Sequence, residues 1–213
     1  MEPEAQRLPR LIPLFPLPDA VLFPQVPLPL HVFEPRYLKL TADALEGHRI
    51  IGMTLLRPGW EADYHGRPPV FPVGCAGRIE KWEALDGGRF NIVLRGIARF
   101  RILEEQPGEP YRLATIEPLG DEGADAASLD AARAKVLAAI GRASDGPAVL
   151  VIQPGIRSDV LVNALSQTLD LSPVERQSLL DCDTLLGRYG RLLEILEFKQ
   201  LEQTFGRGES GVH

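Results

Sequence analysis

The sequence carries two groups of side chains that could do chemistry, and the first is a stripe of arginines. Arg95, Arg99 and Arg101 occupy odd positions in a segment whose even positions are apolar, so a β-strand would place all three on one face. Such a face could bind an anion, a nucleic acid or an acidic peptide. The sequence favours a simpler interpretation, in which this is a solvated outer face whose arginines pair with neighbouring glutamates.

The second group lies in a loop of 16 residues, from 57 to 72, that contains Trp60, Tyr64 and Phe71. Loops of this length without secondary structure of their own are often functional. Aromatic residues of these types also anchor many recognition surfaces. In the alternative interpretation the rings fold back onto the body of the protein, and the sequence leaves both interpretations open.

Residues that would support catalysis or metal binding are dispersed along the chain. The four histidines and two cysteines do not stand at the spacing of metal ligands, which predicts neither a metal nor a cofactor. None of the four lysines follows a glycine, as a Walker phosphate-binding loop would require, and no G-x-S-x-G motif occurs. Cys75 and Cys182 are predicted to be buried free thiols. A cysteine–histidine nucleophile in an uncharacterised hydrolase is the alternative.

The composition and net charge of the chain limit the classes of protein to which it can belong. The chain has 213 residues, 45% hydrophobic and 24% charged, which is typical of a globular protein with one large or two small domains. A net charge of −6 argues against nonspecific binding of nucleic acid. No signal-peptide pattern occurs, and no apolar stretch approaches the roughly 20 residues that span a bilayer. These features predict a cytoplasmic protein.

The composition changes between Gly120 and Ala124, where strand-like sequence gives way to an alanine-rich run. Residues 1–120 hold 14 basic and 15 acidic side chains, whereas residues 121–213 hold 9 and 14. The change in both patterns predicts a domain boundary at this point.

Residues 1–120 have the patterns of β-strands. In the segment from Phe90 to Ile102 the even positions are apolar, which predicts a strand whose even face lines the core. Gly96 inside that strand predicts a bulge or bend, and Asp86-Gly87-Gly88 before it predicts a hairpin turn. The other predicted elements are strands at 50–56, 73–85 and 111–116 and a helix at 34–46. Many strands with a single helix favour a small closed or nearly closed barrel.

Residues 121–205 have the patterns of helices and predict a bundle of three or four. Ser172-Pro173-Val174-Glu175 indicates a helix start, because Ser172 can cap the helix, Pro173 suits its first position and Glu175 can complete a capping box. The predicted helices cover residues 130–142, 160–169, 172–182 and 184–204. Residues 206–213 are predicted to be a disordered tail.

A longer pattern begins at Ile12–Leu40, IPLFPLPDAVLFPQVPLPLHVFEPRYLKL, which is densely apolar although it holds six prolines between Pro13 and Pro29. This segment resembles the opening of the N-terminal domain of Lon, the ATP-dependent protease. The resemblance continues through VGCAGRIEKW, DGGRFNIVLRGIARFRI and PYRLATIEPL, and more weakly through SPVERQSLLDCDTLLGRYGRLLEIL. The family usually carries glycine where this chain has Gln25.

The resemblance implies an α+β fold, with a PUA-like β pseudobarrel in residues 1–120 followed by a helical bundle in residues 121–205. It also implies a free-standing, non-catalytic module that binds unfolded or partly exposed polypeptide or a partner protein, because the ATPase and protease domains of Lon lie outside this region. The candidate binding residues are Trp60, Tyr64, Phe71, Arg95, Arg99 and Arg101. A nucleic-acid-binding PUA-like protein is the alternative that the arginine stripe suggests.

Overall fold

The computed structural model describes residues 8–64, 66–108, 110–121, 125–143 and 155–209. Within these ranges the chain forms six β-strands and five α-helices, so the predicted α+β class is confirmed. The strands are β1 (Leu11–Leu17), β2 (Pro27–Val32), β3 (Ile50–Leu55), β4 (Val73–Ala84), β5 (Phe90–Gln106) and β6 (Arg112–Leu119). The α-helices are α1 (Pro35–Glu46), α2 (Ala126–Ala143), α3 (Ser158–Thr168), α4 (Pro173–Leu180) and α5 (Leu185–Glu209).

The strands form one mixed sheet in the order β2-β5-β4-β3-β1-β6. Strands β1 and β3 are parallel, and the other pairs are antiparallel. Strand β5 is 17 residues long and also pairs with β6, so the pairings of five strands close into a ring. Strands β4 and β5 form the hairpin that Asp86-Gly87-Gly88 predicted, with a short 3-10 turn at those three residues.

Phe100 of β5 is fully buried in the core of the strand ring, as its even position predicted. The residues buried around it are Ile12, Leu14, Ile50, Ala76, Ala114 and Ile116. Gly74 on β4 leaves the space for this ring, since a Cβ at Gly74 would lie 2.7 Å from the ring of Phe100 and 2.5 Å from the carbonyl oxygen of Met53. A side chain at that position would therefore displace the core.

Strand β5 has the bulge that Gly96 predicted. Gly77 of β4 pairs with Gly96 while Ala76 pairs with Ala98, so Ile97 is left without a partner in β4. A Cβ on Gly96 would lie 2.0 Å from the carbonyl oxygen of Phe23, which excludes any side chain there. The glycine therefore lets the segment before β2 approach the strand closely.

Arg99 lies on the odd face of β5 but is only 2% exposed, so the prediction of a solvated side chain is wrong for this residue. Its Nη1 donates to the carbonyl oxygen of Leu180 at 3.0 Å and its Nη2 to that of Gly120 at 2.8 Å. Gln177 of α4 also donates to the carbonyl oxygen of Val73 at 2.9 Å. Helix α4 thus covers this part of the strands, a packing that strand alternation alone does not reveal.

The chain divides into two compact units, one of Met1–Gly120 with Asn163–Asp181 and the other of Asp121–Val162 with Cys182–His213. The chain passes from the first unit to the second after Gly120. Residues 163–181 belong to the same unit as the strands, although they follow that point in the sequence. In the second unit the buried Arg188 pairs with Asp121 at 2.8 Å, and α2 packs against α5. The predicted division into a barrel domain at 1–120 and a helical-bundle domain at 121–205 stays a prediction.

The predicted start of α4 is confirmed. The hydroxyl of Ser172 accepts from the backbone N–H of Glu175 at 3.2 Å, and the Glu175 carboxylate accepts from the backbone N–H of Ser172 at 2.6 Å. Helix α5 continues to Glu209, so it includes the first part of the predicted disordered tail. Residues 210–213 lie outside the described residues.

Candidate functional site

The structure does not bring the three predicted arginines into one solvated stripe. Arg95 is exposed, but its Nε donates to Glu80 Oε1 at 2.6 Å and its Nη1 to the carbonyl oxygen of Gln25 at 2.9 Å. Arg101 is half-buried, and Arg99 is buried between them along the strand. A continuous basic face is therefore absent from this part of the described chain.

The loop of residues 57–72 folds back on the strands. Its ends are tied by backbone hydrogen bonds of 2.9 Å from Arg57 to Pro69 and from Phe71 to Leu55. Its middle contains a 3-10 helix, Trp60–Asp63. The rings of Trp60 and Tyr64 meet edge to face with centroids 5.4 Å apart, whereas Phe71 lies beneath the guanidinium of Arg57. The loop brings two of the three predicted aromatic residues together; their role in binding stays a prediction.

Tyr64 lines a cleft of about 430 Å³ that lies wholly within the unit containing the strands. Its walls come from β1, the first turn of α1, the loop of residues 57–72 and the segment that enters β6. The lining side chains that carry chemistry are Arg36, Tyr37, Tyr64, Arg67, Tyr111 and Arg112. We call this site the arginine–tyrosine cleft.

The wall at α1 is built by Glu34, Arg36, Tyr37 and Tyr64. Pro35 stands at the first position of the helix, and the Arg36 guanidinium pairs with the Glu34 carboxylate at 3.1 Å. The guanidinium also lies 4.6 Å from the ring centroid of Tyr37 and 5.0 Å from that of Tyr64. Its Nη1 donates to the carbonyl oxygen of Tyr64 at 3.2 Å, which fixes the loop to the helix start.

Arg67 and Arg112 form the opposite wall. Arg112 is largely buried; its Nη2 donates to the carbonyl oxygen of Pro68 at 2.9 Å, and its Nε lies 3.1 Å from Glu105 Oε2. Its Nη1 is buried with no hydrogen-bond partner in the described part of the chain. Arg67 is exposed, and its Nη2 donates to the carbonyl oxygen of Gly108 at 2.6 Å.

The electrostatics of the cleft follow from burial beside several cations. Burial lowers the pKa of Arg112; Glu105 opposes this shift, and the nearby Arg67 and Arg36 add to it. Burial raises the pKa of Tyr37 and, together with a hydrogen bond to Asp43, raises the pKa of Tyr111 to about 12. At neutral pH the tyrosines are therefore uncharged, and each charged side chain among the described lining residues is an arginine.

Sequence analysis did not predict the cleft, since Tyr64 is the one candidate binding residue that lines it. Arg36, Arg67 and Arg112 are far apart in sequence and follow no common period, but each lies within two residues of a proline at the end of an element or loop. Because proline fixes φ, such positions hold neighbouring side chains in defined directions. Among the described residues no group of three or more histidine, cysteine or acidic side chains could hold a metal ion, and no helix is long and apolar enough to cross a membrane.

Two solved structures share this fold. The Lon N-terminal domain protein from Xanthomonas campestris matches with a TM-score of 0.61 and 24% identity, over 86% of this chain and 97% of that one. The N-terminal domain of the Mycobacterium avium complex Lon protease matches with a TM-score of 0.68 and 14% identity, over 88% of this chain and 98% of that one. At these identities the likeness establishes the fold alone.

Sequence comparison identifies the family. The Lon protease of Flavobacterium johnsoniae is 29% identical over 205 residues, which cover 92% of this chain and 25% of that protein. The Lon protease of Anaeromyxobacter dehalogenans is 28% identical over 204 residues, and the chain again spans about a quarter of its length. The family described as the ATP-dependent protease La (LON) substrate-binding domain matches residues 11–197. The chain therefore belongs to the family of Lon substrate-binding domains.

Proposed function

We propose that this chain recognises exposed polypeptide segments or a partner protein and that it does so without catalysis. Membership of a substrate-binding domain family carries the proposal, since the match extends over residues 11–197. The curated relatives named above are whole proteases of which the chain spans about a quarter, so proteolysis is not part of the proposal. We also interpret the strand ring as a PUA-like pseudobarrel and the protein as cytoplasmic and free of cofactors.

We assign recognition to the arginine–tyrosine cleft and the adjoining ring of Trp60. A volume of about 430 Å³ is in the range of sites that enclose a few side chains. Tyrosine rings and proline faces supply apolar contact area, and guanidinium groups supply hydrogen-bond donors at the rim. An extended segment could therefore place an apolar side chain between the rings and polar groups against the arginines.

The nucleic-acid alternative has less support. It required a continuous basic face, and Arg99 is buried while Arg95 is engaged by Glu80. The hydrolase alternative required an accessible nucleophile beside a base. The thiol of Cys75 is buried as predicted, with its Sγ 3.6 Å from the carbonyl oxygen of Ala76. Cys182 is half-buried, so the prediction of a buried thiol is wrong for that residue. No observation on the described residues favours either function over polypeptide recognition.

Fluorescence anisotropy of labelled, unstructured peptides tests this proposal. We expect apolar-containing peptides to bind with micromolar or weaker dissociation constants and Trp60→Ala to weaken binding about tenfold. Trp82→Ala is the matched control, because Trp82 is an exposed tryptophan on β4 whose ring contacts Arg49, whereas the Trp60 ring contacts Tyr64 of the cleft. The absence of binding at high micromolar protein, or equal losses in the two variants, would contradict the proposal.

A further inference from the structure

We propose that the arginine–tyrosine cleft binds a carboxylate group of the recognised polypeptide, with the Arg67 guanidinium as the donor. The inference rests on the proposed function, because it names the chemical group that the same site selects. The carboxylate could belong to the C-terminus of the polypeptide or to an aspartate or glutamate side chain.

Arg67 has hydrogen-bond donors that it can offer to a ligand. A guanidinium carries five N–H groups. Arg67 is exposed at the cleft and donates from Nη1 to the carbonyl oxygen of Gln106 at 3.4 Å and from Nη2 to that of Gly108 at 2.6 Å. Both acceptors are neutral carbonyl oxygens, and the contact at 3.4 Å is long for a hydrogen bond. The two contacts use two of the five N–H groups, so the other three are not engaged within the described residues. The backbone contacts hold the guanidinium in place, which reduces the entropy lost when a ligand binds.

The arginines of the cleft differ in whether a carboxylate is paired with them. Arg36 and Arg112 are each paired with one carboxylate, Glu34 at 3.1 Å and Glu105 at 3.1 Å. Arg67 has no carboxylate on its guanidinium among the described residues; the nearby Asp63 accepts instead from the backbone N–H of Arg67 at 3.2 Å. The buried Nη1 of Arg112 also lacks an acceptor. This wall therefore presents guanidinium N–H groups that an anion could accept from.

The charge of the ligand follows from the cations that remain. Arg36 and Arg112 are paired, and among the described lining residues Arg67 is the one cation without a carboxylate on its guanidinium. A singly charged, planar carboxylate matches one guanidinium fork, whereas a phosphate with a charge near −2 would leave part of its charge uncompensated. The tyrosine rings beside the arginines suit the apolar parts of a polypeptide. These features favour a peptide carboxylate over a phosphate.

The test uses one decapeptide that carries an uncharged fluorophore, has no acidic side chains and ends in leucine, phenylalanine and leucine. It is prepared as the free acid, as the C-terminal amide, and as the amide with one internal glutamate. We expect the full chain at low salt to bind the free acid or the glutamate peptide about tenfold more tightly than the plain amide, and the tighter of the two identifies the source of the carboxylate. Equal binding of all three peptides would overturn the inference and leave polypeptide recognition intact. Binding of none would overturn both.

Substitutions of Arg67 test whether this residue causes the preference for a carboxylate peptide. Arg67→Gln should remove the preference, so that the free acid, the glutamate peptide and the plain amide bind this variant with equal dissociation constants. Arg67→Lys, which keeps the cation, should retain part of the preference. Arg89→Gln is the control, because Arg89 also donates to a backbone carbonyl, that of Asp86, but lies in the β4–β5 hairpin turn outside the cleft. A preference that persists in Arg67→Gln would overturn the assignment to this residue.

Discussion

The phenolic hydroxyl of Tyr64 donates a hydrogen bond of 2.6 Å to Glu34 Oε1, which joins the loop of residues 57–72 to the residue that precedes α1. The other oxygen of the same carboxylate pairs with Arg36, whose guanidinium lies over the Tyr64 ring. One carboxylate thus fixes the helix start and the loop together. The wall of the arginine–tyrosine cleft on this side depends on that contact.

We predict that Tyr64→Phe lowers the free energy of unfolding by about 1 kcal/mol, because it removes a charge-assisted but partly solvated hydrogen bond. The phenyl ring keeps its contact with Trp60, so the loss reports on the hydroxyl. Urea titration of Tyr64→Phe, Glu34→Gln and the double variant measures the coupling, which we expect to be about 0.5–1.5 kcal/mol. Strict additivity of the two substitutions would show that the contact is not formed in solution.

A second prediction concerns the four tyrosines of the chain, Tyr37, Tyr64, Tyr111 and Tyr189, whose pKa values are all raised, chiefly by burial. A raised pKa means that the folded state favours the protonated phenol. The raised pKa values therefore add to the free energy of unfolding, and this stabilisation is complete below the ordinary tyrosine pKa of about 10. It is lost as pH rises from there through the folded values, about 12 for Tyr111.

Absorbance at 295 nm as a function of pH tests this prediction. We expect every tyrosine of the folded protein to ionise above the ordinary tyrosine pKa of about 10, Tyr111 at about 12. In concentrated urea all four should titrate near their ordinary pKa of about 10. A reversible step near pH 10 in the folded protein, with an amplitude of one tyrosine, would show that one of these side chains is solvated.

The periodic features of the fold could be predicted from sequence because each depends on neighbours in the chain. The alternation from Phe90 to Ile102, the glycine bulge at Gly96 and the capping box at Ser172 are local, and the structure contains all three. Arg99 follows the same alternation but is covered by α4, whose residues stand about 80 positions later in the sequence. Periodicity identifies the two faces of a strand but not what packs on the outer one.

The candidate site was harder to predict than the fold. Tyr64 could be selected by type, because aromatic residues in a long loop are informative in themselves. Arg67 and Arg112 could not be selected in this way. Their role depends on the contact between the loop and the start of β6, and their local sequence does not predict that contact. Prolines beside the cleft arginines are the one local signal, and 19 prolines in the chain make it a weak one.

We predict that Arg99→Ala lowers the free energy of unfolding by about 3 kcal/mol. The substitution leaves a cavity and removes donors from the carbonyl oxygens of Leu180 and Gly120. Arg101→Ala is the matched control, since Arg101 lies two residues along the same strand and is half-buried; we expect a change within about 0.5 kcal/mol. Urea unfolding followed by circular dichroism measures both. Similar small losses in the two variants would mean that α4 does not cover this strand in solution.

The last prediction concerns Gln25, which has a left-handed backbone with φ of +65°. The resemblance to Lon N-terminal domains leads us to expect glycine at this position. Its backbone N–H donates to the carbonyl oxygen of Gly96 at 2.8 Å, so the turn is fixed by the main chain. A non-glycine residue in this conformation costs roughly 1–2 kcal/mol, whereas glycine costs about 0.5–1 kcal/mol through the entropy of the unfolded chain.

We therefore expect Gln25→Gly to raise the free energy of unfolding by about 0.5 kcal/mol and Gln25→Val to lower it by about 1–2 kcal/mol, because a β-branched residue is poorly tolerated at positive φ. Lys81→Gly, in the extended and exposed part of β4, is the control and should be destabilising by about 1 kcal/mol. Thermal and urea unfolding measure all three variants. If Gln25→Gly were as destabilising as Lys81→Gly, the turn would have an ordinary negative φ in solution, and the close approach of Gln25 to Gly96 would need a different explanation.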